Sequence, residues 1–140
     1  MQQLGKGCVV SSGSILIVED DNFMNQAIQS ALSAAGYGIR AACNCSKGLA
    51  LALEETPELL VLDVGLPDGT AWSLLEDFRH IHPEALVPVV LISSDRIPRA
   101  DLRAYRIDRF LPKPFDMAYL AQTVGELLAS PTSEGESAPV

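Results

Sequence analysis

The sequence predicts a doubly wound α/β fold, a five-stranded parallel sheet with helices on both faces. Three observations lead there. Short runs of consecutive apolar residues recur, such as Ile15-Leu16-Ile17-Val18 and Leu59-Leu60-Val61-Leu62, and runs of this kind mark strands covered on both sides. Between them, apolar residues return at helical spacing. The two patterns alternate strictly, a strand and then a helix, and short right-handed crossovers make such strands parallel.

Taken in order, Met1 to Ser14 is rich in Gly and Ser and reads as a flexible lead-in. Ile15 to Val18 is the first strand. Phe23, Met24, Ala27, Ile28, Ala31 and Leu32 recur at helical spacing and mark the first helix, and Gly36 stops it. Tyr37 to Cys43 reads as a second strand, weakened by Gly38 and Arg40. Ser46 is placed to cap a second helix through Leu53, closed by Thr56-Pro57. Leu59 to Leu62 is the third strand. Ala71, Leu74, Leu75 and Phe78 mark the third helix, which closes near His82-Pro83. Val87 to Ile92 is the fourth strand. Arg99 to Tyr105 is a short helix with Pro98 in or before its first turn. Arg109-Phe110-Leu111 is the fifth strand. Phe115 to Leu128 is the last helix, with Leu120, Val124, Leu127 and Leu128 on one face. Ser130 to Val140 has no large apolar residue except its last and is expected to be a disordered tail. The organisation is thus a lead-in over 1–14, one domain over 15–129 and a tail over 130–140.

Composition narrows the function. At 140 residues the chain fits one domain, and 48% hydrophobic with 20% charged residues excludes wholesale disorder. The net charge of −8 argues against direct nucleic-acid binding, which needs a basic face, and suits a hard cation or a basic partner. Three cysteines make no disulfide framework, and Cys43 and Cys45 with only His80 and His82 are too few for a structural zinc site. No signal peptide and no run of about 18 apolar residues is present, so a reduced cytoplasmic protein is expected, away from the membrane.

In open parallel sheets, chemistry sits beyond the carboxyl ends of the strands. The first strand runs into Glu19-Asp20-Asp21, the third into Asp63, the fourth into Ser93-Ser94 and the fifth into Pro112-Lys113-Pro114. Carboxylates, a hydroxyl and an ammonium therefore gather at one sheet edge. This set suits phosphoryl transfer onto a carboxylate. Clustered carboxylates repel, so at least one pKa should rise. A magnesium ion relieves that repulsion and neutralises charge on a phosphoryl group. Lysine supplies a point charge, serine a donor, and a carboxylate oxygen can be the nucleophile. Singly, each residue has a plainer reading. Glu19 to Asp21 can be a helix cap, Ser93 a loop serine, Lys113 a solvated lysine, and Phe110 a core aromatic. The convergence carries the argument. Asp68 and Gly69 read as turn and cap only, and Trp72 carries no assigned role.

The motifs ILIVEDD (15 to 21), VLDVGLPDG (61 to 69), PVVLISS (88 to 94) and FLPKPF (110 to 115), in this order, resemble the receiver domain of two-component response regulators. Asp63 lies 43 residues after Asp20, 30 before Ser93 and 50 before Lys113, a spacing similar to that family's. The resemblance covers Ile15 to Leu128 and implies a flavodoxin-like (βα)5 sandwich of strand order 2-1-3-4-5. It implies Asp63 as phosphoacceptor, with Mg²⁺ (or Mn²⁺) held by Asp20, Asp63 and the Gly65 backbone carbonyl, and by Glu19 partly through water. It further implies Ser93 and Lys113 as contacts of the phosphoryl group, a cis Lys113-Pro114 peptide, and Ser93 with Phe110 as the switch pair. The phosphoryl donor would be a sensor histidine kinase or a histidine phosphotransfer protein. The receiver would catalyse only its own phosphorylation and hydrolysis.

The sequence departs from the family pattern at several places. Gly65 lacks a side chain that often shields the acceptor, and Ser94 replaces a usual Ala or Gly. Arg106 stands where glycine is usual, Pro98 sits in or before the fourth helix, and the Ser93-to-Lys113 segment is short. These bear on the α4-β5-α5 face by which receivers commonly signal. One alternative is a phosphate-independent interaction module on the same fold. A flavin carrier is opposed by the acidic first loop. An aspartate-type phosphatase is opposed by Gly65, where a second Asp would be needed. No output domain follows within these residues, so the chain either docks to a downstream partner or is a piece of a larger regulator or hybrid kinase.

Overall fold

The computed structural model describes residues 14–129. The lead-in over 1–13 and the tail over 130–140 lie outside the described residues. Five strands make one parallel sheet: β1 (Ser14–Val18), β2 (Gly38–Ala42), β3 (Leu59–Asp63), β4 (Val89–Ser93) and β5 (Arg109–Pro112). Their order is β2-β1-β3-β4-β5, as expected for the flavodoxin-like arrangement. Five helices alternate with them: α1 (Asn22–Ala34), α2 (Cys45–Glu54), α3 (Ala71–Ile81), α4 (Arg99–Ala104) and α5 (Met117–Ala129). A two-rung ladder, Gly65–Leu66 against Gly69–Thr70, closes the turn after β3.

The three central strands β1, β3 and β4 are almost wholly apolar because both faces are covered, and the alternation along the sheet sorts the core into two halves. Leu16, Val18, Leu60, Leu62, Val89 and Leu91 pack with Ala52, Leu74, Leu75 and Phe78 under α2 and α3. Ile15, Ile17, Leu59, Val61, Val90, Ile92 and Leu111 pack with Ile28, Leu32, Leu120 and Val124 under α1 and α5. Gly48 sets the approach of α2, since a Cβ there would lie 2.8 Å from Val18 Cγ2. No helix among the described residues is long and apolar enough to cross a membrane.

Several boundaries differ from the sequence expectation. Ser14 belongs to β1 rather than to the lead-in, because its carbonyl accepts from Glu58 N at 2.8 Å and it pairs with Gly38. Ser46 does not cap α2. Asn44 does, its side chain accepting from Lys47 N at 2.7 Å, and Asp68 takes the Cys45 and Ser46 amides at 2.7 and 3.0 Å. Asp68 is therefore a cap, but of a helix 23 residues earlier in the chain. β4 begins at Val89 rather than Val87, because Pro88 has no N–H to give and only its carbonyl pairs, with Leu60 N. α5 begins at Met117 rather than Phe115, where the Asp116 side chain accepts from Ala118 N. Gly36 ends α1 as expected, at φ 101°. Its N–H bonds Ser33 O and the next N–H, of Tyr37, bonds Leu32 O, the Schellman pair.

Candidate functional site

The carboxyl ends of β1, β3, β4 and β5 bring Glu19, Asp20, Asp63, Ser93 and Lys113 to one edge. Parallel register does this: Val18 pairs with Leu62, Asp63 with Ile92 and Ser93 with Pro112, so the residues that follow end together. Ligand-type oxygens of Glu19, Asp20 and Asp63 all lie within 4.8 Å of one another. Glu19 is fully buried, Asp63 is 8% exposed and Asp20 is exposed.

The three acidic residues after β1 divide their work. Asp21 is the cap of α1, accepting from Met24 N at 3.1 Å, so the capping reading holds for this residue alone. Glu19 and Asp20 stay with the cluster. Glu19 Oε2 accepts from Asp21 N at 3.0 Å, and Glu19 N donates to Ala42 O. Glu19 Oε1 has the Lys113 ammonium 2.8 Å away but no donor in hydrogen-bond geometry. Lys113 Nζ also stands 3.6 Å from Asp63 Oδ2, so one cation bridges two carboxylates. The Lys113-Pro114 peptide is cis.

The electrostatics follow from this crowding. Burial, then the Glu19 charge, push the Asp63 carboxyl up to about 7, and Lys113 only partly opposes them. For Lys113, burial works against its charge, but Glu19 and Asp63 outweigh it and hold its pKa above the ordinary lysine value. A buried carboxylate oxygen without a proper donor, beside two further carboxylates, is an arrangement suited to a hard divalent cation. The residues present therefore fit such an ion.

The other expected site residues are placed as follows. Ser93 is buried, and its Oγ accepts from Asp95 N at 2.9 Å. Its carbonyl accepts from Lys113 N at 2.8 Å. Gly65 is exposed, and a Cβ there would meet nothing within 4 Å, so the approach beside Asp63 is open. Ser94 is exposed. Phe110 pairs with Leu91 and is half-buried against the α2–α3 half of the core. Sequence reasoning missed Asn25. Its Nδ2 donates to Glu19 O at 2.8 Å and Ala42 O at 3.1 Å, while its Oδ1 accepts from Gln29 at 2.7 Å. That side chain fixes the backbone carrying Glu19. Its only signal was a polar residue amid the apolar α1 stripe.

Comparison with known proteins agrees with this geometry. The family described as the response regulator receiver domain matches residues 15–125. The KDP operon transcriptional regulatory protein KdpE of Escherichia coli is 34% identical over 112 residues, covering 76% of this chain and 47% of KdpE. The DNA-binding transcriptional regulator NtrC of Bradyrhizobium sp. is 33% identical over 125 residues, covering 86% of this chain and 25% of NtrC. The chain thus spans about half of one relative and a quarter of the other. A CheY-like receiver domain protein from Methanospirillum hungatei superposes with a TM-score of 0.78 at 24% identity, over 86% of this chain and 96% of that one. A two-component response regulator from Clostridium difficile gives 0.78 at 24%, over 87% and 100%. The chain belongs to the response regulator receiver domain family of two-component systems. Such a domain is a signalling phosphoacceptor rather than a turnover enzyme, and it interacts with histidine kinases and output domains.

Proposed function

We propose that Asp63 accepts a phosphoryl group from a histidine kinase or phosphotransfer protein and that the domain over 15–129 is the unit that switches. The observation that carries this reading is the Lys113 ammonium held between Glu19 and Asp63, at 2.8 and 3.6 Å, over a three-carboxylate cluster. An Asp63 carboxylate oxygen attacks phosphorus, the phosphorus–nitrogen bond of the phosphohistidine breaks, and its electron pair returns to the imidazole. Lys113 is within reach of the new phosphoryl oxygens and offsets their charge. Glu19, Asp20, Asp63 and the Gly65 carbonyl would hold Mg²⁺ or Mn²⁺, which supplies charge neutralisation at the transferring group. The Ser93 hydroxyl turns from Asp95 N toward the phosphoryl group, and Phe110 follows it inward, shifting an existing equilibrium. The open approach at Gly65 admits water, so the domain hydrolyses its own acyl phosphate.

The test is beryllofluoride or acetyl phosphate with and without Mg²⁺, followed by intact mass and two-dimensional NMR on wild type and Asp63→Ala. Shifts at Ser93, Phe110 and Lys113 that need Mg²⁺ and vanish in the variant support the reading. A folded sample with no Mg²⁺-dependent change refutes it and leaves a phosphate-independent docking module.

A further inference from the structure

We propose that Asp68 is a positioning residue for the divalent cation: its carboxylate clamps the 65–70 hairpin to the start of α2 and so fixes the Gly65 carbonyl. The inference rests on the reading of Glu19, Asp20, Asp63 and the Gly65 carbonyl as the metal site. It adds a residue that itself touches no metal.

Gly65 is the member of that set least able to hold itself in place. It is exposed, and a Cβ there would meet nothing within 4 Å, so no side-chain packing restrains it. Glycine also has the widest backbone freedom. The orientation of its carbonyl therefore comes from the hairpin, which pairs Gly65 with Thr70 and Leu66 with Gly69. So short a ladder is not stable alone and needs anchors. At its base, Val64 N donates to Ile92 O at 3.2 Å and Ala71 N donates to Val64 O at 2.9 Å. Leu66 is buried in the α2–α3 half of the core.

The tip is Pro67-Asp68, and there Asp68 is the anchor. Its Oδ1 accepts from Cys45 N at 2.7 Å and its Oδ2 from Ser46 N at 3.0 Å. The Cys45 thiol adds a weak bond to Thr70 O at 3.4 Å. Among the described residues no other hydrogen bond joins the hairpin to α2. Asp68 is exposed, yet both of its oxygens are committed to one helix start. Those two amides hold its carboxyl below the ordinary aspartate range, and the helix dipole favours its charge. α2 already has a cap in Asn44, which takes Lys47 N at 2.7 Å. The two caps thus have separable work: Asn44 serves the helix alone, and Asp68 serves the helix and the hairpin. Without the clamp the tip is free and the Gly65 carbonyl must be ordered when the cation binds, which costs affinity.

The experiment titrates Mg²⁺ into the full chain, read by amide NMR, for wild type, Asp68→Ala, Asp68→Asn and Asn44→Ala. Urea unfolding and amide exchange are measured on the same proteins in chelator. Alanine suits the backbone at 68, since Arg106 is the one described non-glycine residue at positive φ. Asp68→Ala should weaken Mg²⁺ binding about tenfold and speed exchange at Cys45 and Ser46. Asp68→Asn keeps one acceptor and should fall between. Asn44→Ala should lower the urea midpoint as far as Asp68→Ala does, yet keep Mg²⁺ affinity within about twofold of wild type. If Asp68→Ala does not fold, Asp68→Asn against Asn44→Ala makes the same comparison. Unchanged affinity in the Asp68 variants, or an equal loss in Asn44→Ala, makes Asp68 a helix cap only and overturns the inference while the metal site stands. A wild type that binds no Mg²⁺ overturns the metal reading and this inference with it.

Discussion

Helices α1 and α4 both leave the site edge of the sheet and both end in the same pair of backbone bonds, but they begin differently. α1 starts on the Asp21 side chain, and Asn25 in its first turns is bonded into β1 and β2. α4 starts on Pro98, which has no side chain to cap it, and the loop before it is tied through Asp95 N to Ser93 Oγ. At the far ends, Gly36 N and Tyr37 N close α1, while Arg106 N and Ile107 N close α4 in the same pattern. One uses glycine at φ 101°, the other arginine at φ 54°. α1 is thirteen residues long and α4 six. A helix fastened at both ends can hold Glu19 as a fixed wall. α4 is shorter and has no side-chain cap at its start, and the loop before it is tied by the Asp95 amide to the proposed switch hydroxyl.

The largest expected effect lies at Asp63, on the sheet edge that both helices leave. Its folded-state carboxyl titrates near 7 and its unfolded one near the ordinary aspartate value. Between about pH 4 and 7 the folded state therefore binds more protons, so in chelator the stability of the wild type should fall as pH rises across that window. Asp63→Asn should remove the slope and be the more stable protein at about pH 8. Urea unfolding at several pH values decides it, and a flat wild-type profile would contradict the site electrostatics.

Next comes the fixed wall. Asn25→Ala removes the side-chain donor to Glu19 O and one of the two donors to Ala42 O, and should cost about 1–3 kcal/mol by urea denaturation. A loss under about 0.5 kcal/mol would mean that α1 is not fastened as described.

The two helix ends should respond in opposite directions. Gly36→Ala should destabilise by about 1 kcal/mol, since Ala is strained at positive φ. Arg106→Gly should be neutral or stabilising by up to about 1 kcal/mol. Equal effects at both ends would erase the contrast.

The smallest change in global stability is expected from Ser93→Ala, within about 1 kcal/mol. Its readout is local. Amide exchange should speed up at Asp95 to Ile97 and stay unchanged in α1. Uniform protection would mean that the Ser93–Asp95 bond does not hold the loop.

The strands and most helix bodies were legible because hydrophobic period is a local property of the chain. Ile15 to Val18 and Leu59 to Leu62 are buried on both faces and needed no tertiary information to read. The site edge was legible for a related reason. In a parallel sheet the strands end together, so whatever follows each apolar run meets the others, and this brought Glu19, Asp20, Asp63, Ser93 and Lys113 together.

What stayed hidden depends on contacts between distant segments. Asp68 capping α2, Arg40 taking the Leu51 and Glu55 carbonyls, and Asn25 holding the Glu19 backbone each join elements whose distance is set by packing. Residue order and local periodicity decided the fold class and the chemistry at the strand ends. Tertiary packing alone decided which segments cap and brace one another, because that depends on where separate elements come to rest.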